Sequence, residues 1–312
     1  MNEKTIAALA LRDGEYATLE ETFGDATRLV SDAARQGAEL LVLPETINLL
    51  HHRKEGMTLT ECAMEDWQGP TEQLREAAVR ARVALVLPLL VRDASGLANR
   101  FYFLDRDGSL LGEYQKCIPS VGEAACGVRP GMPTTIRWEG LSFGGSICID
   151  LYYPQTVFEP QFAKGVDAFL LPSMTPGGSL LEALAVTYGV PFILAYSPWS
   201  RILDRDGREL AAGGYRSETL RAGFGIPVVQ ATLNFDAVTL FADFNQQKMA
   251  DVAKHYGSKV RIRFDQPNCI FVLESRSPDL TVAEVMREFG LISRSDYLAQ
   301  LKPQSKPLPK PE

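Results

Sequence analysis

Residues 141–154 read LSFGGSICIDLYYP. The stretch predicts a buried strand that begins with the paired glycines and ends at Cys148, before a polar turn and a proline. Such a bend would present the thiol, and the backbone N–H of Ile149 would point to the same side as the sulfur, where it could serve an oxyanion. Taken alone, a buried cysteine is more often an inert small hydrophobe, so its surroundings must decide.

Strands and helices alternate on both sides of this stretch. Residues 4–11 predict a strand, residues 19–34 an amphipathic helix with apolar side chains at 3/4 spacing, and residues 38–43 a short buried strand. The same order returns further along the chain. Two predicted hairpins turn on Asp-Gly pairs within copies of Leu-Asp-Arg-Asp-Gly, centred on Arg106 and Arg205. The pattern indicates an α/β protein.

One large α/β domain is predicted over residues 1–275, followed by a short helical extension over residues 276–301. Within the extension, Thr281 and Glu284 form a capping-box pair, which predicts the start of a helix. Residues 302–312 (KPQSKPLPKPE) are rich in proline and lysine. We expect this tail to be disordered in solution and dispensable for the fold.

The composition is that of a globular protein without a polyanionic partner. The 312 residues are 46% hydrophobic and 23% charged, with a formal net charge of −7, which disfavours nucleic acid and anionic membranes as partners. The longest apolar run covers only residues 83–91, whereas a membrane-spanning helix needs about 20 residues. The first residues do not resemble a secretion signal. We therefore expect a cytoplasmic protein that does not cross a membrane.

The five cysteines are odd in number and scattered, without a CxxC pair. This spacing argues against a disulfide framework and against a structural zinc site. No glycine-rich loop followed by Lys and Ser or Thr is present, which disfavours a nucleotide site. We expect neither a metal nor a cofactor.

Two further stretches place a charged side chain beside a strand end. Glu45 follows Leu-Val-Leu-Pro at the mouth of a predicted buried strand, where partial burial would suit a general base. Lys116 follows the first hairpin as a candidate fixed cation, and Glu123 lies seven residues further on, where it could hold that lysine. Each feature alone is more simply a helix cap or a solvated surface group.

Together, the stretches around Glu45, Lys116 and Cys148 closely resemble the three catalytic positions of the nitrilase superfamily of carbon–nitrogen hydrolases. The resemblance runs in order from about residue 4 to about residue 275, and it includes Asn99 with the hairpin that leads to Tyr-x-Lys. It implies a four-layer α-β-β-α sandwich with Cys148 as nucleophile, Glu45 as general base and Lys116 stabilising the developing negative charge. For Glu123 it implies a supporting, substrate-orienting role.

The resemblance leaves the substrate open. Asp150, two residues after the cysteine, resembles the amidase and N-carbamoyl hydrolase branches, whereas the surroundings of Glu123 are nearer to the nitrile-hydrolysing branch. Residues 184–188 and Tyr196 replace polar segments of many relatives by apolar and aromatic ones. These changes indicate either a more apolar pocket or differences in packing only.

The favoured hypothesis is a thiol-dependent hydrolase of non-peptide carbon–nitrogen bonds, acting on a small-molecule linear amide or N-carbamoyl compound through a thioester at Cys148. A nitrilase that converts a nitrile to acid and ammonia is the alternative within the enzyme class. A catalytically silent relative that acts as a binding partner is the alternative outside it. The resemblance also implies a homodimer or larger homo-oligomer built on residues 153–162, with Phe158 and Phe162 facing either the partner or their own sheet.

Overall fold

The structure, a computed structural model, describes residues 2–51, 57–215 and 225–301. In chain order its strands are β1 (Glu3–Leu9), β2 (Leu40–Val42), β3 (Ala84–Asp93), β4 (Gly96–Leu104), β5 (Leu110–Gln115), β6 (Thr135–Trp138), β7 (Leu141–Gly145), β8 (Ala168–Ser173), β9 (Phe192–Tyr196), β10 (Ser200–Leu203), β11 (Glu209–Gly213), β12 (Val228–Asn234), β13 (Ala237–Phe241), β14 (Val260–Asp265) and β15 (Ile270–Ser275). Its helices are α1 (Leu19–Arg35), α2 (Leu59–Cys62), α3 (Glu72–Ala81), α4 (Val121–Ala125), α5 (Pro154–Phe162), α6 (Gly178–Tyr188), α7 (Ala242–Tyr256), α8 (Val282–Phe289) and α9 (Arg294–Leu301). Short 3₁₀ segments cover Ile47–Leu49, Cys148–Tyr152 and Gly257–Lys259.

Two six-stranded sheets share one plan. Their orders are β12-β1-β2-β3-β4-β5 and β11-β10-β9-β8-β7-β6. In each sheet three consecutive strands are parallel, joined by helices, and a hairpin follows: β1, β2 and β3 with β4 and β5, then β7, β8 and β9 with β10 and β11. The two copies of Leu-Asp-Arg-Asp-Gly therefore occupy equivalent turns, and both predicted hairpins are confirmed.

Side chains alternate between the two faces of each sheet, as a strand requires. On β1, Ile6 and Ala8 join an apolar cluster shared with the second sheet, whereas Ala7 packs in the cluster that contains α1 and α3. On the far side, α5 and α6 cover the second sheet, and the ring centroids of Phe158 on α5 and Phe169 on β8 are 4.9 Å apart. This order of helix, sheet, sheet and helix confirms the predicted four-layer sandwich.

The paired glycines lie at the end of β7 rather than at its start, which corrects the sequence prediction. Cys148 accordingly does not end a strand but opens the 3₁₀ turn Cys148–Tyr152. The reason for the glycines is close packing on both faces of the strand. A Cβ added to Gly145 would overlap the ring of Tyr114 from the opposite sheet, and one added to Gly144 would overlap the ring of Phe169.

Helix α5 turns its aromatic residues toward its own sheet. Phe158 is fully buried, with its ring also 5.6 Å from that of Phe192, and the ring of Phe162 lies 5.2 Å from that of Tyr188. Of the two orientations left open by the sequence, the one facing the chain's own core is therefore correct. A Phe158→Asp substitution would disrupt this core and is no test of a dimer. Assembly into a homo-oligomer stays a prediction.

A third sheet of order β13-β15-β14 packs with α7 and α8 around an apolar cluster of its own. The predicted capping box is confirmed, because the carboxylate of Glu284 accepts the backbone N–H of Thr281 at 2.7 Å. The cluster joins residues on both sides of position 275, so packing continues across the predicted domain boundary. The predicted tail, residues 302–312, lies outside the described residues.

Across residues 2–51, 57–215 and 225–301, no helix is long and apolar enough to cross a bilayer. In the same ranges, no group of three or more His, Cys, Asp or Glu side chains is arranged to hold a metal ion.

Gly145→Ala should lower the free energy of unfolding by about 1–3 kcal/mol, because the new methyl group has to displace the Tyr114 ring between the sheets. Gly24→Ala is the matched control. Its added Cβ in α1 meets nothing within 4 Å, and alanine should stabilise the helix by about 0.5–1 kcal/mol. Urea unfolding of both variants measures the difference. Equal stability of the Gly145 variant and the wild type would show that the sheets are not in close contact here.

Candidate active site

The predicted site residues meet between the two sheets. Glu45 follows β2 and Lys116 follows β5, both in the first sheet, whereas Cys148 follows β7 in the second. Only 3%, 2% and 8% of their respective surfaces are exposed. The structure therefore sets a nucleophilic side chain of one sheet against two charged side chains of the other.

The ammonium group of Lys116 lies between two carboxylates. Its Nζ is 2.8 Å from Oε1 of Glu45 and 2.8 Å from Oε2 of Glu123. Burial disfavours the charged form of this lysine, but the attraction of Glu45, the Cys148 sulfur and Glu123 outweighs it and raises its pKa. Lys116 is therefore a permanently charged group with a fixed position.

Glu123 is fixed by the start of α4. Its Oε2 accepts the backbone N–H of Ser120 at 2.7 Å, while Ser120 Oγ accepts the backbone N–H of Glu123, which forms a capping box. Burial favours the neutral form of Glu123, yet Lys116, Asn99 and the Ser120 N–H lower its pKa. The seven-residue spacing from Lys116 thus corresponds to a short loop followed by the capped start of α4, which brings the carboxylate of Glu123 back to the lysine.

Asn99 belongs to the same group, although sequence analysis used it only as part of the family resemblance. This fully buried residue of β4 donates from Nδ2 to Oε1 of Glu45 at 2.7 Å and to Oε1 of Glu123 at 2.8 Å. Its backbone carbonyl accepts the N–H of Lys116 at 2.9 Å. The available signal was a lone amide that is followed by Arg100 in a strand whose other residues are apolar.

The thiol of Cys148 is protonated at rest. Burial, followed by the negative charge of Glu45, raises its pKa to about 12, against the opposing effects of Lys116 and the backbone N–H of Met174. The residue also has a φ of 51°, which is uncommon for a side chain larger than glycine and holds it at the sharp turn. Attack by this sulfur therefore requires a base.

Glu45 has one oxygen available for that purpose. Oε1 accepts from both Lys116 and Asn99, whereas Oε2 is buried and has no hydrogen-bond donor among the residues that the structure describes. The carboxylate also contacts the thiol of Cys148. A buried acceptor without a donor is unusual in a folded protein, and here it belongs to a carboxylate that contacts a thiol with a proton to give.

One backbone N–H group contacts the sulfur, and a second belongs to the turn that Cys148 opens. Ile149 is the second residue of the 3₁₀ turn, a position whose N–H has no partner within the turn. The N–H of Met174, directly after β8, is directed at the sulfur itself. Sequence analysis missed Met174 because it comes from the end of a neighbouring strand, which only the sheet order brings to Cys148.

The residues that differ from the family pattern lie in two parts of the structure. Tyr188 packs on α5 in the aromatic cluster of the core, and Thr187 and Tyr188 line a cavity of about 690 Å³ together with Arg205 and Arg294. Tyr196 instead pairs with Ser173 at the carboxyl end of β8, next to Met174. Of these departures, Tyr196 lies at the same sheet edge as Cys148.

Known proteins resemble this chain in sequence. The family model described as carbon–nitrogen hydrolase matches residues 5–190. The bifunctional nitrilase/nitrile hydratase NIT4B of Nicotiana tabacum is 26% identical over 170 residues, which are 49% of this chain and 49% of that protein. The 2-oxoglutaramate amidase of Bacillus subtilis (strain 168) is 27% identical over 208 residues, which are 59% of this chain and 77% of that protein.

Solved structures show the same fold. The amidase of Nesterenkonia sp. has a TM-score of 0.62 at 19% identity, covering 81% of this chain and 96% of that chain. Nit3 of Saccharomyces cerevisiae, a nitrilase-superfamily member, has a TM-score of 0.62 at 19% identity, covering 74% of this chain and 90% of that chain.

The sequence match and the fold define the class to which the protein belongs. The chain belongs to the carbon–nitrogen hydrolase family, as the sequence resemblance predicted. It spans about half of the length of the tobacco nitrilase that it matches.

Asn99→Leu should lower the free energy of unfolding by about 1–3 kcal/mol, because it leaves an oxygen of the partly buried Glu123 without its donor. Asn268→Leu is the control, since that amide bonds Asp265 at the exposed surface and its loss should cost no more than about 0.5 kcal/mol. Urea unfolding at pH 7.5 gives both values. Equal losses in the two variants would contradict the bridging position of Asn99.

Proposed function

We propose that this protein hydrolyses a non-peptide carbon–nitrogen bond of a small linear amide or N-carbamoyl compound through a thioester at Cys148. The proposal rests on the different surroundings of the two carboxylate oxygens of Glu45. Lys116 and Asn99 hold one oxygen. The other is buried and has no donor within the described part of the chain, and the carboxylate contacts the thiol. This is the arrangement that a general base for a protonated nucleophile needs.

In the first half of the proposed reaction, Glu45 takes the proton of Cys148 as the sulfur attacks the carbonyl carbon of the substrate. The carbonyl oxygen becomes an oxyanion that the ammonium group of Lys116 and the N–H of Ile149 stabilise. Glu45 then gives the proton to the leaving nitrogen. The carbon–nitrogen bond breaks, ammonia or an amine departs, and the acyl group remains on the sulfur as a thioester.

In the second half, a water molecule replaces the departed amine. Glu45 takes a proton from this water as its oxygen attacks the thioester carbon, and Lys116 again faces the oxyanion. The carbon–sulfur bond breaks, the proton returns from Glu45 to the sulfur, and the acid is released. The same carboxylate thus serves as base and acid in both halves, and the enzyme ends in its starting state.

The small exposed fractions of Glu45, Lys116 and Cys148 favour a substrate with a small acyl group. Asp150, two residues after the nucleophile, and the likeness to an amidase over 77% of its length favour an amide. The likeness to a bifunctional nitrilase/nitrile hydratase keeps a nitrile as the second candidate. Incubation with propionamide and, separately, with propionitrile separates the two, because acid from the amide alone supports the amidase and acid from the nitrile supports the nitrilase.

Cys148→Ala should abolish release of ammonia and leave the fold intact, because it removes the nucleophile by a small change in volume. The control is Cys126→Ala, at an exposed thiol outside the site. Ammonia release from a panel of short amides measures turnover, and intact-protein mass spectrometry detects the acyl-enzyme. Turnover by the Cys148 variant above a small fraction of the wild-type rate would exclude the thioester mechanism at Cys148 and indicate another nucleophile.

Lys116→Gln should lower kcat by about 10²–10³-fold with little change in KM, because a donor aimed at an oxyanion acts mainly in the transition state. Lys164→Gln, at an exposed position beyond α5, is the control. Steady-state kinetics on the same amide gives the comparison, and urea unfolding corrects for any unfolded fraction. A raised KM at unchanged kcat would assign Lys116 to substrate binding instead.

A further inference from the structure

Asp150 joins the segment that carries Lys116 to the turn that carries Cys148. This aspartate is fully buried, and its Oδ1 accepts the backbone N–H of Ile118 at 2.8 Å. Its Oδ2 accepts from three donors: the hydroxyl of Tyr114 at 2.7 Å and the backbone N–H groups of Ile147 at 3.0 Å and Cys117 at 3.3 Å. We propose that Asp150 is a positioning residue that fixes the ammonium group of Lys116 relative to the sulfur of Cys148.

The donors explain why this carboxylate can control the distance. Ile147 directly precedes Cys148, and Cys117 directly follows Lys116. The two catalytic candidates belong to different sheets, so no strand pairing connects them. Asp150 connects the two segments through hydrogen bonds to the backbone next to each residue. A displacement of 1 Å between catalytic groups can reduce a rate about 10²-fold.

A carboxylate is needed because all four partners are donors. An ionised carboxylate accepts at both oxygens, whereas a protonated one or an amide has to present hydrogen at one of them. The inference rests on the proposed function, in which Lys116 must face the carbonyl group that the sulfur attacks. It adds a residue that touches neither the substrate nor the reacting atoms.

The charge state of Asp150 makes its effect depend on pH. Burial raises its pKa to about 6, although the hydrogen bonds from Tyr114 and from the backbone hold it lower than burial alone would. The titratable groups in contact with it are Tyr114 and Cys117. Burial raises the pKa of both, that of Cys117 to about 11, so neither titrates near pH 6.

Protonation of Asp150 should therefore not by itself unfold the chain. Because the pKa of Asp150 is higher in the folded chain than in an unfolded one, the folded state binds this proton more tightly. The contribution of Asp150 to stability thus increases as the pH falls through about 6. Protonation nevertheless removes an acceptor from the connection, so kcat should fall while the chain remains folded.

The experiment compares Asp150→Asn with Asp167→Asn. Asp167 is the matched control, because burial raises its pKa as well and it accepts one backbone N–H, that of Ser142. For Asp150→Asn at pH 8 we expect kcat to fall about 10- to 100-fold with KM within about twofold of the wild type, and for Asp167→Asn no change in kcat. Unchanged kcat in the Asp150 variant, or a loss no larger than its unfolded fraction, would overturn the proposal.

Tyr114→Phe provides a readout that a merely structural role would not move. It removes the one side-chain hydrogen bond that lowers the pKa of Asp150, so the acid limb of the kcat profile should shift to higher pH, with kcat above the limb close to that of the wild type. An acid limb that stays in place in this variant would overturn the link between Asp150 and activity.

Alkylation of Cys148 by iodoacetamide, followed by peptide mass spectrometry, tests the position of Lys116 without turnover. Lys116 lowers the pKa of the thiol, so its displacement in Asp150→Asn should leave less thiolate and slow the alkylation at a given pH. An unchanged alkylation profile would overturn the proposal. A wild type that lacks Cys148-dependent hydrolysis would contradict the proposed function alone, because the alkylation rates still report on Asp150.

Discussion

The buried ammonium group of Lys116 between two carboxylates is the interaction on which the site depends. An unpaired charge in this position would be unstable, and with 2% exposure Lys116 has almost no access to water. Glu45 and Glu123 provide the opposite charges, and Asn99 bonds both of them. Each of these groups comes from a different part of the first sheet or its loops, so the fold has to be complete before the charges are balanced.

The second constraint acts between the sheets. Gly145 lets β7 approach Tyr114, and the hydroxyl of the same tyrosine reaches Asp150 on the nucleophile turn. Gln161 of α5 supports this strand from the other face, since its amide both accepts from and donates to the backbone of Gly145, at 2.7 Å and 2.8 Å. The segment before Cys148 is therefore held by side chains on both faces, which keeps the strained backbone of the cysteine in place.

The sequence predicted those features that depend on local patterns. Glu45, Lys116 and Cys148 were singled out only together, by their resemblance to a family's catalytic positions, whereas the capping box of α8, whose residues lie three positions apart, follows from a short-range rule. Asn99 and Met174 could not be found in this way, because their importance depends on which strands become neighbours. The same limit applies to Phe158, whose spacing on α5 suits a partner surface and its own sheet equally well.

The charges of the site also bear on when the thiolate forms in the proposed reaction. With a pKa of about 12, Cys148 is almost entirely a thiol at neutral pH, and the carboxylate of Glu45 is what raises that pKa beyond the effect of burial. Transfer of the proton removes this negative charge from the neighbourhood of the sulfur. It also frees the ammonium group of Lys116 from one of its two carboxylate partners just as negative charge develops on the substrate. Proton transfer and attack therefore assist each other, so a thiolate need not exist before the substrate arrives.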